Sequence, residues 1–365
     1  MRILWFTWKD REHPLAGGAE VVNEELAKRL VRDGHEVKFV VGGFEGCAPE
    51  TTRDGFSIVR VGGRVSVYWK AYRYYKQHLQ GWADRVIDEV NTIPFFARFY
   101  AKEPVTVFAH QLAREIWFYE MVFPLSLIGY LAEPIYLRLL RRSPAITVSE
   151  STKQDLVRYG FKESSIQIIS EGIECTPVER LEQIQKDPQP TMLALGNIRS
   201  MKRTMDVVRA FELAKQQLPQ LKLLVAGGAD GAYGACVLAA LRASAYANDI
   251  EYVGRVSQEE KLRLYQRAHV LGVASVREGW GLVVTEANSQ GTPAVVYDVP
   301  GLRDSVKHGA TGIVCRDATP AGMAKEIVAL LQDQARYKTL QRNGWEWSKG
   351  MTFERSYRDF VQFIR

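Results

Sequence analysis

Glu278-Gly279-Trp280-Gly281-Leu282-Val283-Val284-Thr285-Glu286 sets two carboxylates eight positions apart, with a glycine-bracketed turn between them. The run 269–275 (HVLGVAS) before it is short, apolar and followed by turn residues, and 293–297 (PAVVY) after it is a similar run. The segment therefore reads strand, loop, helix, strand. Gly279 and Gly281 admit the backbone angles of a sharp strand-to-helix turn and leave room for a ligand against the main chain. Such a turn puts the N–H groups of Leu282 and Val283 at a helix start, where donors without partners and the helix dipole favour an anion. Glu278 precedes the turn and Glu286 lies about one helical turn beyond it, so both can face one ligand whose phosphate sits between them. A phosphate flanked by two carboxylates that accept from hydroxyls suggests a nucleotide sugar. Taken alone, the two acids fit solvated helix-surface residues equally well.

Outward from this stretch, strand-like runs alternate with helical patterns along the whole chain, the pattern of doubly wound parallel sheets in an α/β protein. In the first half, 3–8, 36–41, 58–61, 105–110, 145–149 and 166–170 are predicted strands. The clearest helix carries Val21, Val22, Leu26, Leu30 and Val31 on one face and stops at Gly34; Ser151 is expected to cap another that ends at Gly160. A polar stretch with Pro177, Pro188 and Pro190 reads as a connection, after which 192–195, 221–226, 250–253, 270–274 and 294–297 are predicted strands. This gives two Rossmann-like domains, 1–172 and 173–350, with a last helix at 353–364. Ligands bind at the carboxyl edge of such sheets, so the expected site is a cleft between the two.

Composition sets limits. With 46% hydrophobic and 25% charged residues, the 365-residue chain is that of a folded protein, long enough for two domains. The net charge of +6, from 48 basic and 42 acidic residues, permits attraction to phosphate or an anionic membrane, but no aromatic-basic RNA motif or zinc-finger spacing accompanies it, so no nucleic-acid partner is expected. Cys47, Cys175, Cys236 and Cys315 are scattered and the six histidines do not cluster, which predicts free thiols and no bound metal. The beginning MRILWFTWK reads as a strand rather than a secretory signal, and Pro124 interrupts the apolar run 121–132. The expected location is cytoplasmic, with attachment at the inner face of the membrane open.

The Glu, seven residues, Glu spacing of Glu278 and Glu286 resembles the retaining GT-B glycosyltransferases of family 4 (group 1), and the likeness extends over nearly the whole chain. The resemblance implies that Glu278 holds hydroxyls of the transferred sugar and Glu286 the ribose of the nucleotide. It implies that the last helix packs back on the first domain, and that no metal or other cofactor is needed. Where the family has Gly-Arg and a later Lys to neutralise the donor diphosphate, this chain has Gly196-Asn197-Ile198-Arg199-Ser200-Met201-Lys202. Lys202 matches, Asn197 replaces the usual Arg, and Arg199 is the candidate for the second cation. Gly17-Gly18 lies at the first strand-to-helix turn, where the family approaches phosphate and acceptor; a plain tight turn is the other reading. His110 corresponds to a cleft histidine that touches the donor sugar. Gly228 allows a helix start to approach the nucleotide, Arg255 and Val256 stand at the base-reading loop, and Gly279, Trp280, Gly281, Leu282 and Val283 complete the donor-binding set.

The stretch 67–82 (VYWKAYRYYKQHLQGW) interleaves Lys70, Arg73 and Lys76 with six aromatic rings, as suits an anionic membrane surface and equally a helix with a basic outer face. The apolar 116–140 segment, with Arg138, Arg141 and Arg142 at its end, could form an acceptor groove. The expected activity is transfer of a hexose, glucose from UDP-glucose, to a polysaccharide or lipid-linked glycan. Two other classes stay open: a nicotinamide-dependent oxidoreductase, although the first turn lacks Gly-x-Gly-x-x-Gly, and a non-catalytic membrane-surface module. NADH fluorescence titration and vesicle sedimentation discriminate them.

Overall fold

Runs rich in Val, Ile, Leu and Phe form two sheets buried on both faces, and the hydrophobic pattern of the helices between them matches those faces. A computed structural model describes all 365 residues, which divide into two units: Met1–Trp117, Val122–Gly172 and Thr352–Arg365 form the first, Phe118–Met121 and Ile173–Met351 the second.

The first unit is built on eight strands: β1 (Arg2–Phe6), β2 (Glu36–Val41), β3 (Glu50–Arg53), β4 (Phe56–Arg60), β5 (Arg85–Glu89), β6 (Val105–Ala109), β7 (Ala145–Thr147) and β8 (Ile166–Ile168). They lie in the order β3-β4-β2-β1-β5-β6-β7-β8. All neighbours are parallel except β3, which pairs antiparallel with β4 at the edge. The strand order reverses direction between β1 and β5, and Trp5, at the centre, is in register with Phe39 on one side and Ile87 on the other. Helices α1 (Gly18–Arg32), α2 (Val67–Tyr74), α3 (Ile116–Glu120), α4 (Leu125–Leu140) and α5 (Glu150–Arg158) connect them.

Several expectations are corrected here. The strands stop earlier than their apolar runs: β1 ends at Phe6, β6 at Ala109 and β7 at Thr147, so His110 and Ser149 lie in loops beyond the sheet edge. Ser149, not Ser151, caps α5, its Oγ accepting from Thr152 N at 3.3 Å, and Ser151 is the second residue of the helix. Strands β3 and β5 were not expected: β3 is a polar edge strand, and β5 carries Arg85, Asp88 and Glu89. The stretch 67–82 does not present an aromatic belt. Only Trp69 among its rings is exposed; Tyr75 is buried, Tyr68 packs on Phe95 and Tyr72 on Tyr100.

In the second unit, β9 (Thr191–Leu195), β10 (Lys222–Ala226), β11 (Ile250–Gly254), β12 (Val270–Val273), β13 (Ala294–Tyr297) and β14 (Gly312–Cys315) form a parallel sheet ordered β11-β10-β9-β12-β13-β14. The last of these strands was not expected. Helices α6 (Thr204–Lys215), α7 (Gly231–Ala243), α8 (Gln258–Arg267), α9 (Leu282–Ser289), α10 (Pro320–Gln332) and α11 (Gln334–Ser348) cover it. Val207, Phe211, Met323 and Ile327 fill one face of the core; Leu264, Tyr265, Val284 and Ala287 fill the other. The final helix, α12 (Phe353–Ile364), belongs to the first unit. Phe360 stacks on Trp5 at 5.4 Å, Tyr357 donates to Asp33 at 2.8 Å, and Glu354 pairs with Arg32 at 2.9 Å.

Candidate active site

The second sheet reverses its winding between β9 and β12, the kind of point at which α/β sheets leave a crevice between the loops at the carboxyl ends of the two strands. The loop after β9 runs through Gly196 and Arg199 into one 3-10 turn, Ser200–Lys202; the loop after β12 holds 274–281 and feeds α9. Val276 N donates to Met201 O at 2.8 Å, tying the loops together. Across this junction Lys202 Nζ donates to Glu278 Oε1 at 2.5 Å, and Ser275 Oγ donates to the same oxygen at 2.6 Å. Glu278 N is held by Pro300 O at 3.0 Å, and Gly301 packs directly on the Glu278 carbonyl.

Gly281 caps α9 with φ +94°, the left-handed conformation that glycine takes without a Cβ penalty. Its carbonyl accepts from Val284 N at 2.9 Å, and no protein group accepts from Leu282 N or Val283 N. These two amides are therefore donors at the positive end of a helix, close in sequence to Glu278. Glu286, on the fifth position of α9, is buried. Its Oε1 accepts from Lys261 Nζ and its Oε2 from Tyr265 OH, each at 2.9 Å. Burial, reinforced by the Glu286 charge, pushes the Tyr265 phenol far above its ordinary range, so it is a fixed donor. Lys261 and Tyr265 were missed in the sequence, although their i, i+4 spacing on α8 was a legible sign of one shared face.

The neighbouring loops are laced to this crevice through main chain. Gly196 N donates to Ala226 O at 3.0 Å, Ile198 N to Gly228 O at 2.8 Å and Gly227 N to Gly254 O at 2.7 Å. The contact is so close that a Cβ on Gly227 would lie 2.6 Å from the Gly196 carbonyl carbon. Arg255 lies over Gly228 and pairs with Asp230, its side chain 60% exposed, and Val256 is half-buried against the Leu264 side of the core. Trp280 turns the other way: its ring packs on Trp347 with centroids 6.1 Å apart, in a small cluster with Ile173, Cys175 and Met351. Arg199 is not drawn to Glu278. Its Nη2 pairs with Glu120 at 2.6 Å, and Glu120 also accepts from Met201 N. Thus Lys202 and Glu278 come together, Leu282, Val283 and Glu286 stand on the helix that follows Glu278 in the chain, and Arg199 is engaged by a carboxylate that sequence reasoning did not single out.

In the first unit, the reversal between β1 and β5 gathers a second polar group. Gly17 caps α1 and gives its N–H to Glu20 Oε2 at 2.6 Å; Gly18 is the first helical residue. Lys9 Nζ lies 3.3 Å from Glu20 Oε1. Asn23 Nδ2 donates to Glu89 Oε2 at 2.6 Å, so Asn23 Oδ1 is the atom 3.0 Å from His110 Nε2, and that nitrogen carries the proton. Burial lowers His110 to about 3, and burial with the Glu20 charge raises Glu89 to about 8. At neutral pH the imidazole is neutral, with Nδ1 as its acceptor nitrogen. Glu89 and Asn23 were missed. The sign available was the run RVIDEV, a short apolar strand ending in acids.

Two family profiles match the chain: Glycosyltransferase Family 4 over residues 16–176 and Glycosyl transferases group 1 over residues 178–347. N-acetyl-alpha-D-glucosaminyl L-malate synthase of Bacillus anthracis is 23% identical, the alignment covering 94% of this chain and 91% of that protein. Among solved structures, sucrose-phosphate synthase from Thermosynechococcus elongatus superposes with a TM-score of 0.80 at 19% identity, covering 99% of this chain and 97% of that one. HepE of Anabaena in complex with UDP-glucose superposes with a TM-score of 0.72 at 15% identity, covering 99% and 98%. The nearly complete coverage by the two profiles, on two doubly wound domains of GT-B class, makes this chain a member of the group 1, family 4 glycosyltransferases.

Proposed function

We propose that the protein is a retaining hexosyltransferase that moves glucose from UDP-glucose to a hydroxyl of a polysaccharide or lipid-linked glycan. The observation that carries this reading is the Lys202–Glu278 pair at the β9/β12 reversal, in the loop that feeds the helix start at Leu282 and Val283. An ammonium has three protons; Lys202 gives one to Glu278 and can give others to a phosphate while it holds the carboxylate ready for sugar hydroxyls. As the bond between the anomeric carbon and the β-phosphate oxygen breaks, negative charge builds on the leaving diphosphate. Lys202 and the α9 amides meet that charge already oriented, which is where such sites gain most of their rate. Arg199 adds a second cation in this scheme by exchanging Glu120 for phosphate.

Each oxygen of Glu286 accepts one bond from the protein and keeps a lone pair for a ribose hydroxyl. Arg255 and Val256 flank the base, and His110 Nδ1 accepts from a sugar hydroxyl in the first unit. A Cβ on Gly17 would meet only Glu20, at 3.8 Å, and in this scheme that room serves close approach by substrate. The UDP-glucose bound by HepE favours the same donor here. The scheme uses protein cations and takes no metal or other cofactor.

Calorimetric titration with UDP, GDP and ADP, then a donor-hydrolysis and transfer screen with the base that binds, tests the reading. Proton coupling at the new anomeric centre reports retention. Glu278→Ala is expected to abolish transfer with an unchanged circular dichroism spectrum; undiminished turnover in that variant ends the assignment.

A further inference from the structure

Helix α4 is apolar on its outer side as well as on its buried one. Its buried stripe consists of Ser126, Gly129, Glu133, Tyr136, Leu137 and Leu140, and so includes the only acidic side chain between residues 121 and 142. Glu133 is 1% exposed and accepts from Ala113 N at 2.7 Å, Arg114 N at 2.6 Å and Trp117 Nε1 at 3.2 Å. Gly129 sits on the Trp117 ring, so close that any side chain would overlap it. The carboxylate and the glycine thus fix which side of α4 faces the protein.

The opposite side is aliphatic. Ile128, Leu131, Ile135 and Leu139 recur at helical spacing along it and are 54–61% exposed, and Val122 and Phe123 just before the helix are 75% and 78% exposed. A surface helix of a protein surrounded by water carries its polar residues outward. Here the outer side is aliphatic too, along most of a 16-residue helix about 24 Å long, with Arg138 near its carboxyl end. Contiguous apolar surface of this kind marks an interaction site. No helix of the protein is long and apolar enough to cross a membrane. At the carboxyl end of α4, Arg138, Arg141 and Arg142 are exposed and no outward carboxylate lies along the helix to meet them.

We propose that α4, with Val122 and Phe123, is a docking surface for an anionic lipid bilayer, the helix lying in the interface plane with its aliphatic side among the upper acyl chains and its arginines among the phosphates. Charge selects this occupant. A second copy of the same face would offer Arg138, Arg141 and Arg142 only aliphatic side chains or further arginines, whereas lipid phosphates supply the counter-charge at the right end of an apolar helix. Because the aliphatic side chains stand outward on a convex helix face, a planar surface covers them together. The inference goes beyond glycosyl transfer and holds whichever sugar is moved; it assigns the lipid contact to α4 rather than to 67–82.

The test is flotation of the full chain, without nucleotide, on vesicles of phosphatidylcholine alone and of equal parts phosphatidylcholine and phosphatidylglycerol, at low and high salt. Binding is expected on the mixed vesicles, weakened by salt. Leu131→Glu with Ile135→Glu, both at exposed positions, should lower the partition coefficient by roughly tenfold or more. Arg138→Ala, Arg141→Ala and Arg142→Ala together should remove the preference for the anionic lipid. In all variants nucleotide binding and donor hydrolysis in solution stay at the unmodified level, which separates this inference from the catalytic one. Absence of flotation by the unmodified protein, or equal flotation by the double glutamate variant, overturns it. So does a dimer in light scattering that dissolves in the double variant while vesicles go unbound, since the face then serves a second copy.

Discussion

Gly301→Ala gives a sharp check on the position of Glu278. Gly301 has φ +82°, where an L-residue costs about 1 kcal/mol or a little more. A Cβ there would lie 2.5 Å from the Glu278 carbonyl carbon, with its oxygen nearer still, and 3.0 Å from Glu278 Cβ, whereas real Cβ contacts do not fall below 3.0 Å. The loop must therefore move by at least half an ångström at the residue that Lys202 and Ser275 hold. Overlap of this kind in a packed setting costs about 1–3 kcal/mol, for a total of roughly 2–4 kcal/mol. A shift approaching 1 Å at a group that orients substrate costs up to about 100-fold in turnover. Gly309→Ala is the control: its φ is +73° but nothing lies within 4 Å of the new Cβ, so only the backbone cost of about 1 kcal/mol applies. Urea unfolding and donor hydrolysis, measured on both variants, give the difference. Gly301→Ala should lose far more turnover than affinity for the nucleoside diphosphate, because Glu278 is assigned to the sugar. Equal stability and equal turnover in the two variants would refute the reasoning.

Other outcomes follow from the same contacts. Glu286→Ala leaves Tyr265 OH buried and Lys261 without its carboxylate, and is expected to cost about 2–4 kcal/mol in urea unfolding; Tyr265→Phe, which removes only one donor, should cost about 1 kcal/mol. Gly129→Ala drives a methyl into the Trp117 ring and should destabilise the first unit by about 1–3 kcal/mol, read as earlier unfolding in the near-ultraviolet tryptophan signal. Glu89 is raised from 4.5 to about 8 by burial, so the unfolded chain releases its proton before the folded one does. The stability associated with this group is complete below pH 4.5 and is lost as pH climbs to about 8, and Glu89→Gln should flatten that part of the stability profile. His110, lowered from 6.5 to about 3, has the opposite sign: its contribution is complete above pH 6.5 and is lost as pH falls towards 3, a loss that His110→Gln should reduce. Melting curves from pH 4 to pH 9 on the three proteins check both slopes, at roughly 1.4 kcal/mol per pH unit and group at the steepest.

What the sequence determined by itself was the alternation of apolar strands with amphipathic helices, and hence two doubly wound sheets, because burial on both faces demands continuous Val, Ile and Leu runs such as 36–41 and 294–297. The turn at Gly281 was legible for a local reason too: the chain needs a left-handed residue to start α9 there. The ends of the strands were less legible, since the apolar run continues past the last ladder bond, as at Trp8 and His110, and only pairing with a neighbour decides where a strand stops. Strand β5 was hidden because Asp88 and Glu89 look like surface residues. In the folded chain Asp88 accepts from Phe95 N and Ala97 N, and Glu89 from Asn23, partners that lie far off in sequence or in an irregular loop. Tertiary structure alone decided that Lys202 grips Glu278, that Lys261 and Tyr265 hold Glu286, and that α4 turns its carboxylate inward and its aliphatic side outward. A side chain's partner is fixed by distance in space, and periodicity in a single chain carries no information about which distant group will be there to neutralise a buried charge.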